Sequence, residues 1–358
     1  KETVATVDGE IVTVILEKNK IGVANFSGNV PNPGDTITIY PPQYLEKLKD
    51  LWKIRSLSSR FLKKYDISKN MVFDEKAVLE TINFPLLREK QKEAFKLAGY
   101  STSFLWGPPG TGKTYTLGAM LAQHVVQFTH KKVLLISSTN TAVDQALLAV
   151  DNAFSNIEGK IKDSSYKSLC KRVGKHYKAE IFKDKGYLLP GINSDFLNDL
   201  IELEKQKPGK ENMVEYALWK RKMKILKEKI KVSLSTIISE SSLVATTITF
   251  VVFFYEVFED SGFDLVVFDE VSQSSIAHTL PVACLGRKVL YAGDYKQLAP
   301  IVKSKYKIAK EWLNKTVFDI RNIKKMPFFT FLNEQSRMTD MICQIVSRSF
   351  YDNLLTVS

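Results

Sequence analysis

Cysteine is scarce in this chain: three occur in 358 residues, at Cys170, Cys284 and Cys343. Their number is odd, their spacing wide, and no C-x-x-C occurs, which excludes a disulfide framework and a zinc knuckle. Histidine is nearly as rare, and His124, His130, His176 and His278 fall at no metal-ligand spacing. Apolar runs are short. The longest, Phe250-Val251-Val252-Phe253-Phe254-Tyr255, is far below the ~18 residues of a membrane span, so no membrane partner is expected. Internal repeats and low-complexity tails are missing, and no signal peptide is visible, although Lys1 is not an initiator Met. These absences lead to an expectation of a reducing intracellular compartment, cytoplasmic or, in a eukaryote, nuclear.

What is present is ordinary in amount and uneven in placement. Hydrophobic residues make up 44% and charged residues 25%, the proportions of a globular protein. The length calls for two or three domains. Net charge is +12. Residues 151–231 alone carry 19 Lys and Arg against 12 Asp and Glu. Such a basic segment suits a polyanionic partner, nucleic acid first, and equally suits a solvated lysine-rich helix face.

Residues 1–42 alternate as short strands (Val4–Val7, Ile11–Leu16, Ile21–Asn25, Ile37–Tyr40), with Gly, Asn and Pro turns between them. This pattern predicts a small antiparallel, barrel-like unit. Leu45, Leu48, Trp52, Leu57, Phe61 and Tyr65 then recur at helical spacing, predicting a stalk helix of about five turns within a linker at 43–82. From residue 83 the pattern is α/β. Val133–Ile136, Leu265–Phe268 and Val289–Tyr291 are short all-apolar strands of the kind a parallel sheet buries on both faces, Ser103–Trp106 is a short buried-strand run, and Phe328–Leu332 is a further candidate. A lysine-rich helical insertion is expected at about 155–240.

The most specific signal is Gly107-Pro108-Pro109-Gly110-Thr111-Gly112-Lys113-Thr114. It has the G-x-x-x-x-G-K-T spacing of a phosphate-binding loop. Glycines let the backbone N–H groups curl around a β-phosphate, Lys113 supplies a point charge to the β- and γ-phosphates, and the Thr114 hydroxyl can ligate Mg²⁺. A buried strand before the loop and a helix opening at Thr114-Tyr115 give it the expected setting. Downstream, Asp269-Glu270 ends an apolar strand. There Asp269 suits the Mg²⁺ shell and Glu270 suits a general base or water-positioning group. Gln297, in the loop after Gly293-Asp294, can sense a γ-phosphate through a neutral amide.

In order along the chain stand Gln91, the phosphate loop, Ser138-Thr139-Asn140-Thr141-Ala142-Val143-Asp144, Asp269-Glu270-Val271-Ser272-Gln273, Gly293-Asp294-Tyr295-Lys296-Gln297-Leu298 and Leu332-Asn333-Glu334-Gln335-Ser336-Arg337-Met338. The set resembles superfamily 1 helicases, in the subgroup of the nonsense-mediated-decay RNA helicase and senataxin. The resemblance implies a RecA-like motor domain at 83–327, with the β unit, stalk and helical insertion as accessories, and the start of a second motor domain at 328–358. It implies that Gln91 reads adenine and that ATP and Mg²⁺ are bound. Residues 107–115, from Gly107 through Pro108, Pro109, Gly110, Thr111, Gly112, Lys113 and Thr114 to Tyr115, would line the nucleotide. It implies that Ser138, Thr139, Asn140 and Thr141 grip a single-stranded backbone, with Thr246 and Thr247 lining the same channel. A helix N-cap is the other use of such a Thr/Asn segment. Arg337 resembles an arginine that reaches the γ-phosphate from the second motor domain. The family's Tyr before it is Ser336 here, and its His-Pro after the Met is Thr339-Asp340.

The chain stops at Ser358, before the later motifs of a second motor domain. It is therefore expected to be an N-terminal fragment of a larger helicase that hydrolyses ATP weakly by itself. The implied function is movement on single-stranded DNA or RNA, 5′ to 3′, driven by ATP hydrolysis. The alternative is a nucleic-acid-gated ATPase switch in a larger defence, repair or remodelling complex. A regulatory module with a vestigial site is disfavoured because Lys113, Thr114, Asp269, Glu270 and Gln297 are all present. The motifs do not distinguish DNA from RNA, since backbone contacts need not involve the 2′-OH.

Overall fold

In the computed structural model the described residues are 2–7, 10–17, 20–24, 38–39, 43–67, 71–158, 165–174, 177–190, 199, 202–203, 206–208, 212–302, 304, 306–319 and 326–358. The chain divides into two compact units, Lys1–Lys53 with Ile192–Thr236, and Ile54–Gly191 with Ile237–Ser358.

In the first unit, β1 (Glu2–Val7), β2 (Glu10–Glu17), β3 (Lys20–Ala24) and β4 (Thr38–Ile39) form an antiparallel sheet in the order β3-β2-β1-β4. Among the described residues β3 and β4 are its edges, and no pairing closes them into the expected barrel. The Gly, Asn and Pro turns expected between these strands lie outside the described residues. In place of one stalk helix there are two. Helix α1 (Gln43–Lys53) ends in the first unit, and α2 (Arg55–Tyr65) begins after Ile54, whose backbone is extended at φ −71° and ψ 110°. Phe61 of α2 is fully buried and meets Tyr255 edge-on, with ring centroids 6.4 Å apart. The apolar spacing that suggested a free stalk is thus, from Leu57 onward, a core-facing stripe of the second unit.

The second unit is built on a seven-stranded sheet whose pairings are all parallel, in the order β11-β5-β10-β9-β6-β8-β7. Its members are β5 (Thr102–Trp106), β6 (Val133–Ser137), β7 (Cys170–Arg172), β8 (Leu243–Thr247), β9 (Phe263–Phe268), β10 (Gly286–Gly293) and β11 (Phe329–Phe331). This is the RecA-like α/β sheet expected. Every residue of β5 and β6 is buried, which explains the apolar stretches Phe104–Trp106 and Val133–Ile136 within them. Helices α3 (Glu89–Ala94), α4 (Lys113–Gln127) and α5 (Asn140–Glu158) belong to this unit. Gly118 brings α4 against α5, because a Cβ there would sit 2.6 Å from the Ala149 carbonyl.

Two expectations need correcting. Residues 155–240 are not one helical insertion: β7 lies inside that range and pairs with β8 at the sheet edge. Only Ile192–Thr236 separates from the sheet unit. There the long helix α6 (Met213–Glu240) carries most of the basic residues of the segment, and its last turn belongs to the sheet unit. Phe329–Phe331 does not open a separate second motor domain. As β11 it extends the first sheet beside β5, with Phe329 in register with Phe104. Beyond it lie β12 (Glu334–Gln335), α11 (Asp340–Phe350) and β13 (Thr356–Val357), with α7 (Ile248–Phe253), α8 (Tyr255–Glu259), α9 (Ile276–Ala283) and α10 (Lys307–Leu313) preceding.

Candidate nucleotide site and strand-end loops

The phosphate loop joins the carboxyl end of β5 to the N-terminus of α4, where parallel α/β sheets place their ligands. Gly110 (φ 80°) and Gly112 (φ 74°) both take left-handed backbone conformations, which glycine adopts without steric cost. The curl is braced from within. Thr111 donates its hydroxyl to the Pro108 carbonyl at 2.8 Å. Gln91, buried beneath the loop, donates Nε2 to the Thr111 carbonyl at 3.1 Å and accepts the Arg88 backbone N–H on Oε1 at 3.0 Å. Its amide therefore supports the loop, with one N–H and one lone pair left over.

Lys113 opens α4 and is buried. Its ammonium lies 2.7 Å from Asp269 Oδ1 and 2.6 Å from Glu270 Oε1. Burial alone opposes its charge, but Asp269 and Glu270 outweigh it and hold the lysine above its ordinary range. Asp269 follows the last residue of β9 and is only 3% exposed. Its Oδ1 also accepts the Glu270 backbone N–H at 2.9 Å. Glu270 sits at φ 54° and ψ 36°. For a residue with a Cβ this left-handed conformation costs roughly 1–2 kcal/mol. The turn it makes directs a second carboxylate to the lysine that Asp269 already contacts. Thr114 is half-buried in the first turn of α4, and Tyr115 beside it is exposed.

The C-terminal segment packs on the same loop. Ser336 donates its backbone N–H to the Gly110 carbonyl at 3.1 Å, and a Cβ on Gly110 would lie 2.6 Å from Arg337 Cβ. Buried Gln335 shapes this turn, its Oε1 accepting the backbone N–H groups of Arg337 (2.8 Å) and Met338 (2.6 Å). The Arg337 side chain is exposed at the loop's rim. Gln297 is also exposed, and its amide donates to Asp294 Oδ2 at 2.9 Å.

Asp294 carries more structure than its motif suggested. It is fully buried, and its carboxylate accepts from Trp106 Nε1 (2.8 Å), the Lys296 backbone N–H (3.1 Å), Gln297 Nε2 and the Tyr351 hydroxyl (2.7 Å). Burial, then the bond to Asp294, raises the Tyr351 hydroxyl well above the ordinary tyrosine range. One carboxylate thus joins the ends of β5 and β10 to the segment after α11. Gly-Asp at a strand end was the available signal; Trp106 and Tyr351, distant in sequence, gave none.

The strand-end residues divide by what they touch. Thr139 Oγ1 accepts the Ala142 N–H at 3.2 Å and caps α5. Thr247 does the same for α7 through Phe250 N–H at 3.3 Å. Asn140 Oδ1 accepts from Arg172 Nη2 at 2.9 Å, and Thr141 is exposed. The Ser138 and Thr246 hydroxyls are buried with no hydrogen-bond partner, an arrangement that costs free energy unless a ligand or water completes it. Thr246 stands in register with Ile136, so both loops emerge at one end of neighbouring strands.

This geometry agrees with what the chain is similar to. The AAA domain family matches residues 86–181 and 193–305. The chain belongs to that family. Curated relatives that match the same region include proteins named as ATP-dependent helicases. An uncharacterized ATP-dependent helicase of Methanocaldococcus jannaschii is 31% identical over 308 residues, covering 75% of this chain and 45% of the relative. The DNA polymerase alpha-associated DNA helicase A of Schizosaccharomyces pombe is 30% identical over 276 residues, covering 75% and 40%. The ATP-dependent helicase upf1 of the same yeast is 26% identical over 290 residues, covering 77% and 29%. The AAA domain chain spans less than half the length of these relatives.

Proposed function

We propose that this chain is the first motor domain of an ATP-driven helicase that moves 5′ to 3′ on single-stranded nucleic acid. The observation that carries the reading is the meeting of Lys113, Asp269 and Glu270 at one point beside a phosphate loop on which the Arg337 segment is already seated.

The residues suit ATP with Mg²⁺. The left-handed glycines leave the loop's backbone open toward the end of α4, whose N-terminal dipole favours anions. The Thr114 hydroxyl and the Asp269 carboxylate would hold Mg²⁺ together with the phosphates, an oxygen set low in carboxylates that suits this cation. Among the described residues no cluster of three or more His, Cys, Asp or Glu would hold a cation without them. When bound, Mg²⁺ neutralises charge on the β- and γ-phosphates.

Lys113 and Glu270 are coupled in this scheme. ATP phosphates compete for the Lys113 ammonium, and each contact they gain weakens its hold on Glu270. The released carboxylate accepts a proton from water as the water oxygen bonds to the γ-phosphorus and the bond to the ADP oxygen breaks. Arg337, exposed at the rim, supplies charge to the γ-phosphate from the C-terminal side. The Ser138–Thr141 loop, with Thr246, would hold the nucleic-acid backbone through donors that read phosphates and not bases. A second motor domain would complete the cleft.

The test is strand displacement by the protein that contains this chain, with Lys113→Ala as control. Displacement that needs ATP and is lost in the variant supports the reading. ATPase stimulated by nucleic acid without displacement overturns the helicase and leaves a gated switch.

A further inference from the structure

Arg172 ends the edge strand β7 and is among the most deeply buried side chains of the protein, at 1% exposure. Its Nε donates to Asp144 Oδ1 at 2.7 Å, its Nη1 to the Val173 carbonyl at 2.5 Å and its Nη2 to Asn140 Oδ1 at 2.9 Å. Asp144, also buried, accepts the Lys178 N–H on its other oxygen at 3.1 Å. Burial lowers the guanidinium's pKa, and the hydrogen bond and charge of Asp144 oppose that shift. A buried ion pair of this kind is seldom more stable than an apolar pair of similar volume. Its presence calls for something that only its geometry supplies.

The geometry supplies the orientation of one amide. A guanidinium only donates, so the atom of Asn140 facing Arg172 must be its carbonyl oxygen. The Asn140 NH₂ group then points away from Arg172. Asn140 is the first residue of α5, at the mouth of the strand-end loop, and is partly exposed. The same guanidinium borders the second strand-end loop. A Cβ on Gly174 would lie 3.2 Å from Arg172 Nη1 and 3.6 Å from Thr246 Oγ1, the buried hydroxyl that has no partner.

We propose that Arg172 is a positioning residue for nucleic-acid binding: held by Asp144, it fixes the Asn140 amide with its N–H groups outward, as donors for a phosphate oxygen of the bound strand. The inference rests on the reading of the Ser138–Thr141 loop as the nucleic-acid contact. Lysine cannot replace this arginine, because a point charge on a flexible stem does not provide the planar fork that holds Asp144 and Asn140 together.

The experiment is a double-mutant cycle read as affinity for fluorescent oligo(dT) and oligo(U), with Tm and affinity for a non-hydrolysable ATP analogue measured alongside. Arg172→Met is combined with Asp144→Asn, which removes both charges and keeps an acceptor for the Lys178 N–H. This pair is expected to retain the fold and the analogue affinity while weakening oligonucleotide binding about 10-fold, the scale of a lost charge-assisted contact. Asn140→Ala is expected to weaken binding by a similar factor. The triple variant should be no weaker than either, because Arg172 acts through Asn140. Additive losses, or unchanged oligonucleotide binding in the Arg172 pair, overturn the positioning role while the loop reading stands. Unchanged binding in Asn140→Ala overturns the loop reading, and the inference with it. If the paired variant does not fold, Arg172→Lys decides: loss of oligonucleotide affinity at unchanged analogue affinity supports the role, and wild-type affinity overturns it.

Discussion

Lys113 Nζ lies 2.7 Å from Asp269 Oδ1, inside a site where both side chains are almost wholly buried. The residue offered to phosphates and the residue offered to the metal shell are thus each other's counter-charge. Glu270, 2.6 Å from the same ammonium, makes the lysine the shared cation of two adjacent carboxylates. Such a site is preorganised for ligands that bring both signs of charge, as a nucleotide with its divalent cation does.

Separating binding from hydrolysis is the first expectation. Lys113→Ala leaves Asp269 and Glu270 side by side without their cation, and removing one partner of a buried pair costs about 3 kcal/mol. It should also abolish the rise in Tm that ATP with Mg²⁺ produces through linkage. Glu270→Gln keeps a hydrogen-bond acceptor near Lys113 and removes the base. It should retain the ligand-induced rise in Tm and lose at least about 100-fold in nucleic-acid-stimulated hydrolysis. Equal turnover in Glu270→Gln and the parent would remove Glu270 from the chemistry.

How much of this was legible beforehand depends on the range of each interaction. The phosphate loop, β9 with its two acids and the apolar strands were legible because each is written in consecutive residues. The edge strand β7 was not: Cys170-Lys171-Arg172 is short and polar, and only its pairing with Leu243–Ala245 makes it a strand. Phe329–Phe331 could be read as a strand but not assigned to a sheet, since its partner β5 lies more than two hundred residues earlier in the chain. The Asp294 carboxylate depends on Trp106 and Tyr351, and the Asn140 amide on Arg172. These are tertiary contacts that no local spacing encodes. The five-turn stalk failed for a related reason, since helical spacing continued through Ile54, where the backbone is extended.

Gly110 offers a way to separate the loop from the Arg337 segment. An alanine there would carry a Cβ at a φ of 80° and place it 2.6 Å from Arg337 Cβ. The first effect strains the loop by about 1 kcal/mol, and the second displaces the segment. Gly110→Ala should therefore lower turnover more than Arg337→Ala, which removes only the guanidinium. Arg337→Ala is expected to lower kcat by about 100-fold or more with little change in ATP affinity, as for arginines that act on the transition state. Comparing kcat and KM in the two variants checks this, and a larger loss of kcat in Arg337→Ala would show that the Gly110 contact is dispensable.

The Asp294 carboxylate predicts a stability effect away from the nucleotide. Tyr351→Phe removes one of its four donors and leaves the carboxylate buried. The loss should be about 1–2 kcal/mol, within the range for hydrogen bonds to charged groups. Asp294→Ala, which strands Trp106 Nε1 and the Tyr351 hydroxyl together, should cost more, about 3 kcal/mol. Urea unfolding of both variants measures the difference. Tyr351→Phe should also expose the C-terminal segment first, seen as faster hydrogen exchange after Ser347 with little change in β6.

His124 sets an acid limit on stability. It lies on the buried side of α4, with its ring 5.1 Å edge-on from Phe128 and its Nδ1 buried without a partner. Burial, reinforced by Lys131 and Lys288, lowers its pKa from 6.5 to about 3. The folded state therefore keeps the ring neutral in a range where the unfolded chain takes up a proton. Stability from this residue is complete above about pH 6.5 and falls as the pH drops toward the folded value, by about 1.4 kcal/mol per pH unit in between. At pH 5 the parent should have lost about 2 kcal/mol through this group alone. His124→Leu should lose correspondingly less between pH 7.5 and pH 5, because the carboxylates that titrate in the same range are common to both proteins. Urea midpoints at the two pH values give the comparison, and parallel losses in parent and variant would show that protonation of His124 does not oppose the fold.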